Sequence, residues 1–134
     1  MAAEQINTYA FRLFPGQDLR KEIEEVVNYH GIHAGWIVAA VGSLTEYNLR
    51  FANQTAGSQA SGFFEIVSLS GTLSIDGCHL HMAISDPSGQ TIGGHLLEGC
   101  IIYTTAELVI ASTNKYAFTR ENDGSTPWKE LQIL

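Results

Sequence analysis

An α+β domain, with one main helix set against a largely antiparallel sheet of about seven strands, is predicted by three features of the sequence. Apolar and polar residues alternate with a period of two along most of the chain, whereas apolar residues at helical spacing occur in one segment only. Turn-forming Gly, Pro, Asn, Asp and Ser residues separate the alternating runs at short intervals. The 134 residues are 45% hydrophobic and 16% charged, enough apolar surface to bury one core without disulfides, so residues 1–134 read as a single domain.

Thr8 to Phe14 alternates and reads as a first strand, ended by Pro15-Gly16. Asp18 is placed to cap the helix that follows, in which Leu19, Ile23, Val26 and Val27 share one face and Gly31 supplies the stop. Gly35 to Leu44 is nearly continuous in apolar residues and predicts a strand buried on both faces, with Thr45 to Phe51 as a second, alternating run. Asn53 to Gly62 reads as a loop. Phe63 to Leu73 is a strong strand that sets Glu65 among Phe63, Val67 and Leu69. A carboxylate in that setting requires a partner or a function, and Arg50 is the expected partner. Strands at His79 to Ile84, around His95 and at Ile101 to Ser112, the last containing Glu107, complete the sheet. Tyr116 to Phe118 and Trp128 to Leu134 read as short edge strands.

Three of the five histidines fall in one window. In Cys78-His79-Leu80-His81-Met82 the strand period places His79 and His81 on one face and Leu80, Met82 and Ile84 on the other. Asp86-Pro87-Ser88-Gly89-Gln90 reads as a turn that folds the chain back and brings His95, in Gly93-Gly94-His95-Leu96, beside the pair. Gly93 and Gly94 permit close backbone approach there. Three imidazoles with an open fourth position suit Zn2+ or another divalent transition metal. A solvent-facing polar strand surface is the plainer account of the same residues. His30 and His33 are assigned no role.

The net charge of -7 and the scatter of the basic residues leave no stripe able to follow a phosphate backbone. No run of about 18 apolar residues and no export signal in Met1 to Asn7 are present, so a cytoplasmic location without membrane contact is expected, with Cys78 and Cys100 reduced. Phosphate loops, dinucleotide fingerprints, Gly-x-Ser-x-Gly elbows and Cys-x-x-Cys pairs are absent from the sequence.

The run Gly42-Ser43-Leu44, then Gly62-Phe63-Phe64-Glu65-Ile66-Val67-Ser68-Leu69-Ser70-Gly71, then His79-Leu80-His81 and Gly93-Gly94-His95-Leu96 resembles the PPC domain, named for plants and prokaryotes, over about Tyr9 to Phe118. The resemblance implies a homotrimer with a core at about 8–118 and, in prokaryotic members with this histidine set, metal ligation by His79, His81 and His95. Plant members carry an AT-hook for A·T-rich DNA and use this domain for association with protein partners. Stand-alone members are called predicted DNA-binding, yet this sequence has no Arg-Gly-Arg hook, which makes direct DNA binding doubtful. Architecture and site also resemble acetolactate decarboxylase, whose zinc is held by a similar histidine set. The expected function is a trimeric, zinc-binding domain with an assembly or regulatory role. The alternative is a metal-dependent lyase or hydrolase acting on a small carbonyl or carboxylate metabolite. There Glu65 or Glu107 would move a proton and Arg50 would anchor an anionic small-molecule ligand.

Overall fold

Alternating strands are stable only where one face is covered, and here a single helix and a closing sheet provide the cover. The computed structural model describes residues 3–134; Met1 and Ala2, at the start of the segment read as lacking an export signal, lie outside the described residues. The elements run β1 (Ile6–Leu13), α1 (Leu19–Tyr29), β2 (Gly35–Arg50), β3 (Ser58–Leu73), β4 (His79–Ser85), β5 (Thr91–Leu96), β6 (Ile101–Thr113), β7 (Phe118–Glu121) and β8 (Glu130–Ile133). Six strands form one antiparallel sheet in the order β1-β6-β2-β3-β4-β5. The end of β2 also pairs with β5, Leu49 opposite Leu96 and Arg50 opposite His95, so β2, β3, β4 and β5 close into a ring. The fold is therefore α+β and mostly antiparallel, with eight strands among the described residues rather than about seven.

Asp18 caps the helix as expected, accepting from the Lys21 amide at 3.1 Å. Its second oxygen accepts from the Gly99 amide at 2.7 Å, so one carboxylate also ties the start of α1 to the approach to β6. Leu19, Ile23 and Val27 are buried from the helix side. They meet Leu44, Leu49, Leu73, Leu80, Met82, Ile84, Leu96, Ile102 and Ile110 in one core. Full burial of each such side chain contributes about 1.5–3 kcal/mol. Gly31 ends the helix with a left-handed φ of 59°.

Four expectations need correction. The two runs from Gly35 onward are one 16-residue strand, β2. Irregularities between Ile37 and Ala39, Gly42 and Leu44, and Leu44 and Glu46 reset which side chains face the core. Val38 and Val41 consequently stand 54% and 57% exposed, because only one face of β2 is covered within the chain. Ser58 to Gly62, read as loop, begins β3: it lacks an apolar pattern, but its backbone pairs with Glu46 to Leu49. A further bulge, between Ile66 and Ser68, brings Leu69 onto the buried side with Ile66, while Glu65 stands exposed with Phe63 and Val67. Finally, the tail adds no edge strand to the main sheet. β7 and β8 pair only with each other and dock through the Phe118 amide on the His33 carbonyl at 2.8 Å. Among the described residues no helix is long and apolar enough to cross a membrane.

Candidate metal centre

The site grows from the β4–β5 hairpin. Leu80, Met82 and Ile84 are buried, so the strand period turns His79 and His81 to the opposite face. Asp86 shapes the turn by accepting from the amides of Ser88 and Gln90 and from the Ser88 hydroxyl. That hydroxyl, foremost, holds the Asp86 carboxyl below its usual range. The resulting register sets His81 directly opposite His95. Ring centroids are 4.9 Å apart for His79 and His81, 5.1 Å for His79 and His95, and 5.7 Å for His81 and His95. One nitrogen from each ring lies within 4.8 Å of the others. Rotation of the rings closes that separation to the ~3.3 Å between ligands of a tetrahedral zinc ion.

Two further devices hold the hairpin in place. Gly94 faces the backbone of β2 where the ring closes: a Cβ there would lie 2.7 Å from the Arg50 carbonyl oxygen and 3.2 Å from its carbon. The absence of a side chain therefore lets β5 approach β2 and carry His95 to Arg50. From the helix, the Arg20 guanidinium donates to the Leu96 carbonyl at 2.7 Å and the Cys78 carbonyl at 2.8 Å. These are the residues after His95 and before His79, so Arg20 clamps the two histidine strands together. Glu24, one turn on, holds the Arg20 Nε at 2.7 Å.

His79 and His95 are half-buried and His81 is exposed. Burial, then the nearby Arg50 charge, lowers the His95 pKa to about 4. His79 is lowered as well, by burial first and Arg120 second. Both rings are thus neutral at physiological pH, the state in which imidazole binds a metal. The donor set fits a divalent transition ion: three imidazole nitrogens open onto a cavity of about 550 Å3.

Arg50, Trp128 and the three histidines line that cavity together. Arg50 does not pair with Glu65 as expected; its guanidinium sits over the Trp128 ring, 5.3 Å from the centroid. Glu65 stands opposite Ser43 and Ser85, and Glu107 opposite Arg12 and Val41, both exposed and neither lining the histidine cavities. Glu65 follows the alternation of Phe63 and Val67 onto the exposed face of β3, opposite buried Ile66, and so points away from the core. The carboxylate beside the site is instead Glu130, which lines an adjoining space of about 390 Å3 with His79, His95, Arg50, Arg120 and Trp128. Sequence reasoning missed Arg20, Trp128 and Glu130. Arg20 and Glu24 at i, i+4 read as an ordinary helix surface pair, and nothing in the sequence tells that the tail folds back over the histidines.

Residues 1–114 match the Plants and Prokaryotes Conserved (PCC) domain family. Over 133 residues, 99% of this chain, the sequence is 47% identical to a "Bifunctional protein GlmU" of Synechococcus sp. strain JA-2-3B'a(2-13). The chain spans about a fifth, 21%, of the length of that relative. A solved structure of a hypothetical protein from Salmonella enterica is similar at 41% identity and a TM-score of 0.95, over 99% of this chain and 96% of that one. A metal-containing protein from Archaeoglobus fulgidus is similar at 26% identity and a TM-score of 0.81, over 98% and 99%. Two neighbours at 21% and 19% identity are named as proposed DNA-binding proteins and share the fold.

Proposed function

The chain belongs to the Plants and Prokaryotes Conserved domain family, and from that premise we propose that it is a metal-binding domain with an assembly or regulatory role. In this reading His79, His81 and His95 hold a divalent transition ion, zinc foremost, in a homotrimer. The convergence of three imidazole nitrogens within 4.8 Å at an open cavity carries it. Such an ion supplies Lewis acidity and accepts one further ligand. The chain's own residues do the rest. Arg20 fixes the spacing of the ligand strands, Gly94 lets them reach β2, and Trp128 walls the cavity.

The trimer draws support from the outer face of three neighbouring strands, where Val38 and Val41 of β2, Phe63 and Val67 of β3, and Tyr103 of β6 stand exposed. Phe63 and Tyr103 already pack edge to face at 5.1 Å, the kind of apolar surface that subunit contact covers. The match to a fifth of a longer relative supports a domain that works as one module among others. The named DNA-binding neighbours share only the fold, and a net charge of -7 opposes approach to phosphate.

A second reading, a metal-dependent lyase or hydrolase for a small carbonyl or carboxylate metabolite, is favoured by one observation: Arg50 faces the cavity without a carboxylate partner among the described residues. There Arg50 orients the anionic group, Trp128 limits water, and Glu130 is the acid placed to hold a proton.

Elemental analysis of untagged protein after zinc loading and dialysis, with sedimentation of the same sample, tests the reading. Near-stoichiometric zinc in a trimer is expected, with zinc lost and the circular dichroism spectrum kept in His81→Ala, since the core does not depend on the ion. No retained zinc, or the same zinc content in His81→Ala, overturns the metal site; a monomer overturns the assembly.

A further inference from the structure

We infer that the β7–β8 hairpin turns the histidine cavity into a binding site for a small oxyanion, a carboxylate or a phosphate, gripped by Arg50 and walled by Trp128. The inference deepens the metal-site reading and shares its cavity, but the group that binds the ligand is the chain's own guanidinium.

Arg50 differs from the arginines around it. Arg20 is bound to Glu24 and two carbonyls, Arg12 donates to the Thr105 hydroxyl, and Arg120 donates to the Thr72 hydroxyl. Arg50 is half-buried, and among the described residues its guanidinium has no hydrogen-bonding or ion-pair partner. A cation drawn partly out of water needs a counter-charge, and a planar fork of N–H donors matches the two oxygens of a carboxylate or phosphate. The Trp128 ring lies beside Arg50, 5.3 Å from the guanidinium carbon to the ring centroid, and backs the cation with its π face.

Charge is inverted locally. The chain carries -7 overall, yet the two adjoining cavities are lined by Arg50, Arg120 and Lys129 with Glu130 as the one acid among their residues. A small cationic well on an acidic protein concentrates small anions while its surroundings repel polyanions such as nucleic acid.

The tail is held firmly enough to form a wall. The Arg120 amide donates to Asp76 at 2.7 Å, and Ala117 and Leu134 exchange both backbone hydrogen bonds at 2.9 Å. The Thr126 hydroxyl accepts from the Trp128 amide at 3.2 Å and donates to Glu130 at 2.9 Å, which shapes the turn that presents the indole. Arg120, Trp128 and Glu130 lie beyond residues 1–114, so one wall of the cavity comes from a segment outside the part that matches the family, while Arg50, which grips the anion, lies within it.

The test uses the full chain. The two tryptophans are Trp36 and Trp128, so Trp36→Phe leaves Trp128 as the fluorescent reporter, and calorimetry on the unsubstituted protein gives a second readout. Sodium phosphate, acetate, pyruvate and malonate are titrated against chloride at constant ionic strength, into metal-free and zinc-loaded protein. A saturable change with at least one anion is expected, weakened tenfold or more by Arg50→Gln, partly by Arg50→Lys, and not by Arg12→Gln. Response to the carboxylates alone or to phosphate alone identifies which oxyanion the site takes. No saturable response to any anion in either form, or equal affinity in folded Arg50→Gln, overturns the inference. Zinc retention without anion binding leaves the metal reading standing, whereas anion binding by a protein that retains no zinc does the reverse.

Discussion

Replacing Gly94 by alanine isolates the contact that closes the ring. The added Cβ would sit 2.7 Å from the Arg50 carbonyl oxygen, 3.2 Å from its carbon and 3.4 Å from the Leu49 Cβ. Two of those three atoms are backbone, so relief requires β5 to move away from β2 by roughly 0.5 Å or more, and overpacking of this kind costs about 1–3 kcal/mol. At ~2.1 cal/mol/K per residue near 60 °C, the unfolding entropy of this chain is ~0.3 kcal/mol/K, so Tm falls by roughly 4–11 °C. Because His95 pairs with Arg50 across that same seam, zinc affinity falls with it. Gly93→Ala is the matched control. Its Cβ meets the Met82 carbonyl oxygen at 3.1 Å and the Ala83 side chain at 3.4 Å, within reach of small adjustments, and the expected cost is under about 1 kcal/mol. Thermal unfolding followed by circular dichroism in chelator, beside zinc competition with a chromophoric chelator, separates the two. A Gly94→Ala protein that melts within about 2 °C of the parent and binds zinc equally well would refute the dependence of ring closure on a bare backbone at this position.

Arg20→Met removes the two carbonyl bonds that clamp β4 to β5; hydrogen bonds to charged groups contribute about 1.5–3 kcal/mol each, so a loss of roughly 3–6 kcal/mol in urea unfolding is expected, together with weaker zinc binding. Lost stability with unchanged zinc affinity would mean that the clamp holds the fold alone and does not position the ligands. Burial raises the Cys100 thiol to about 11, and the side chain is fully buried. The folded state then holds this proton more tightly than the unfolded chain, so the contribution is complete below pH ~8.5 and is lost as pH rises through about 11, amounting to about 3 kcal/mol. The stability difference between parent and Cys100→Ala should shrink by that order between pH 8 and pH 11; a constant difference contradicts it.

The histidine hairpin is legible in the sequence because each of its parts is local. Leu80, Met82 and Ile84 fix the buried face, Asp86 to Gln90 fix the turn, and the register that joins His81 to His95 follows from both. The helix is legible for the same reason, with Asp18 as its cap. What escapes the sequence depends on distant partners. The bulges of β2 and β3 break the period of two, so Val38 and Val41 both stand exposed and Leu69 turns inward, away from the face of Phe63, Glu65 and Val67 with which strict alternation groups it. Ser58 to Gly62 becomes strand by backbone pairing alone, without an apolar signature. Arg50 and Trp128 are 78 positions apart by their numbers, and no local pattern links a β2 terminus to a tail hairpin.

That distance along the chain has a kinetic meaning. The three candidate ligands lie between positions 79 and 95 on one hairpin, a unit that forms in about 1–10 μs once its turn closes. The ring requires β2 to find β5, and the tail hairpin must dock on the far side of the same cavity, steps that carry the loop-closure cost of non-local pairing. The ligand hairpin is thus expected to form before its walls during refolding. An ion present from the start meets an open, solvent-bathed hairpin, whereas an ion added afterwards must enter past Arg50 and Trp128, so the order of addition governs the rate at which the site fills.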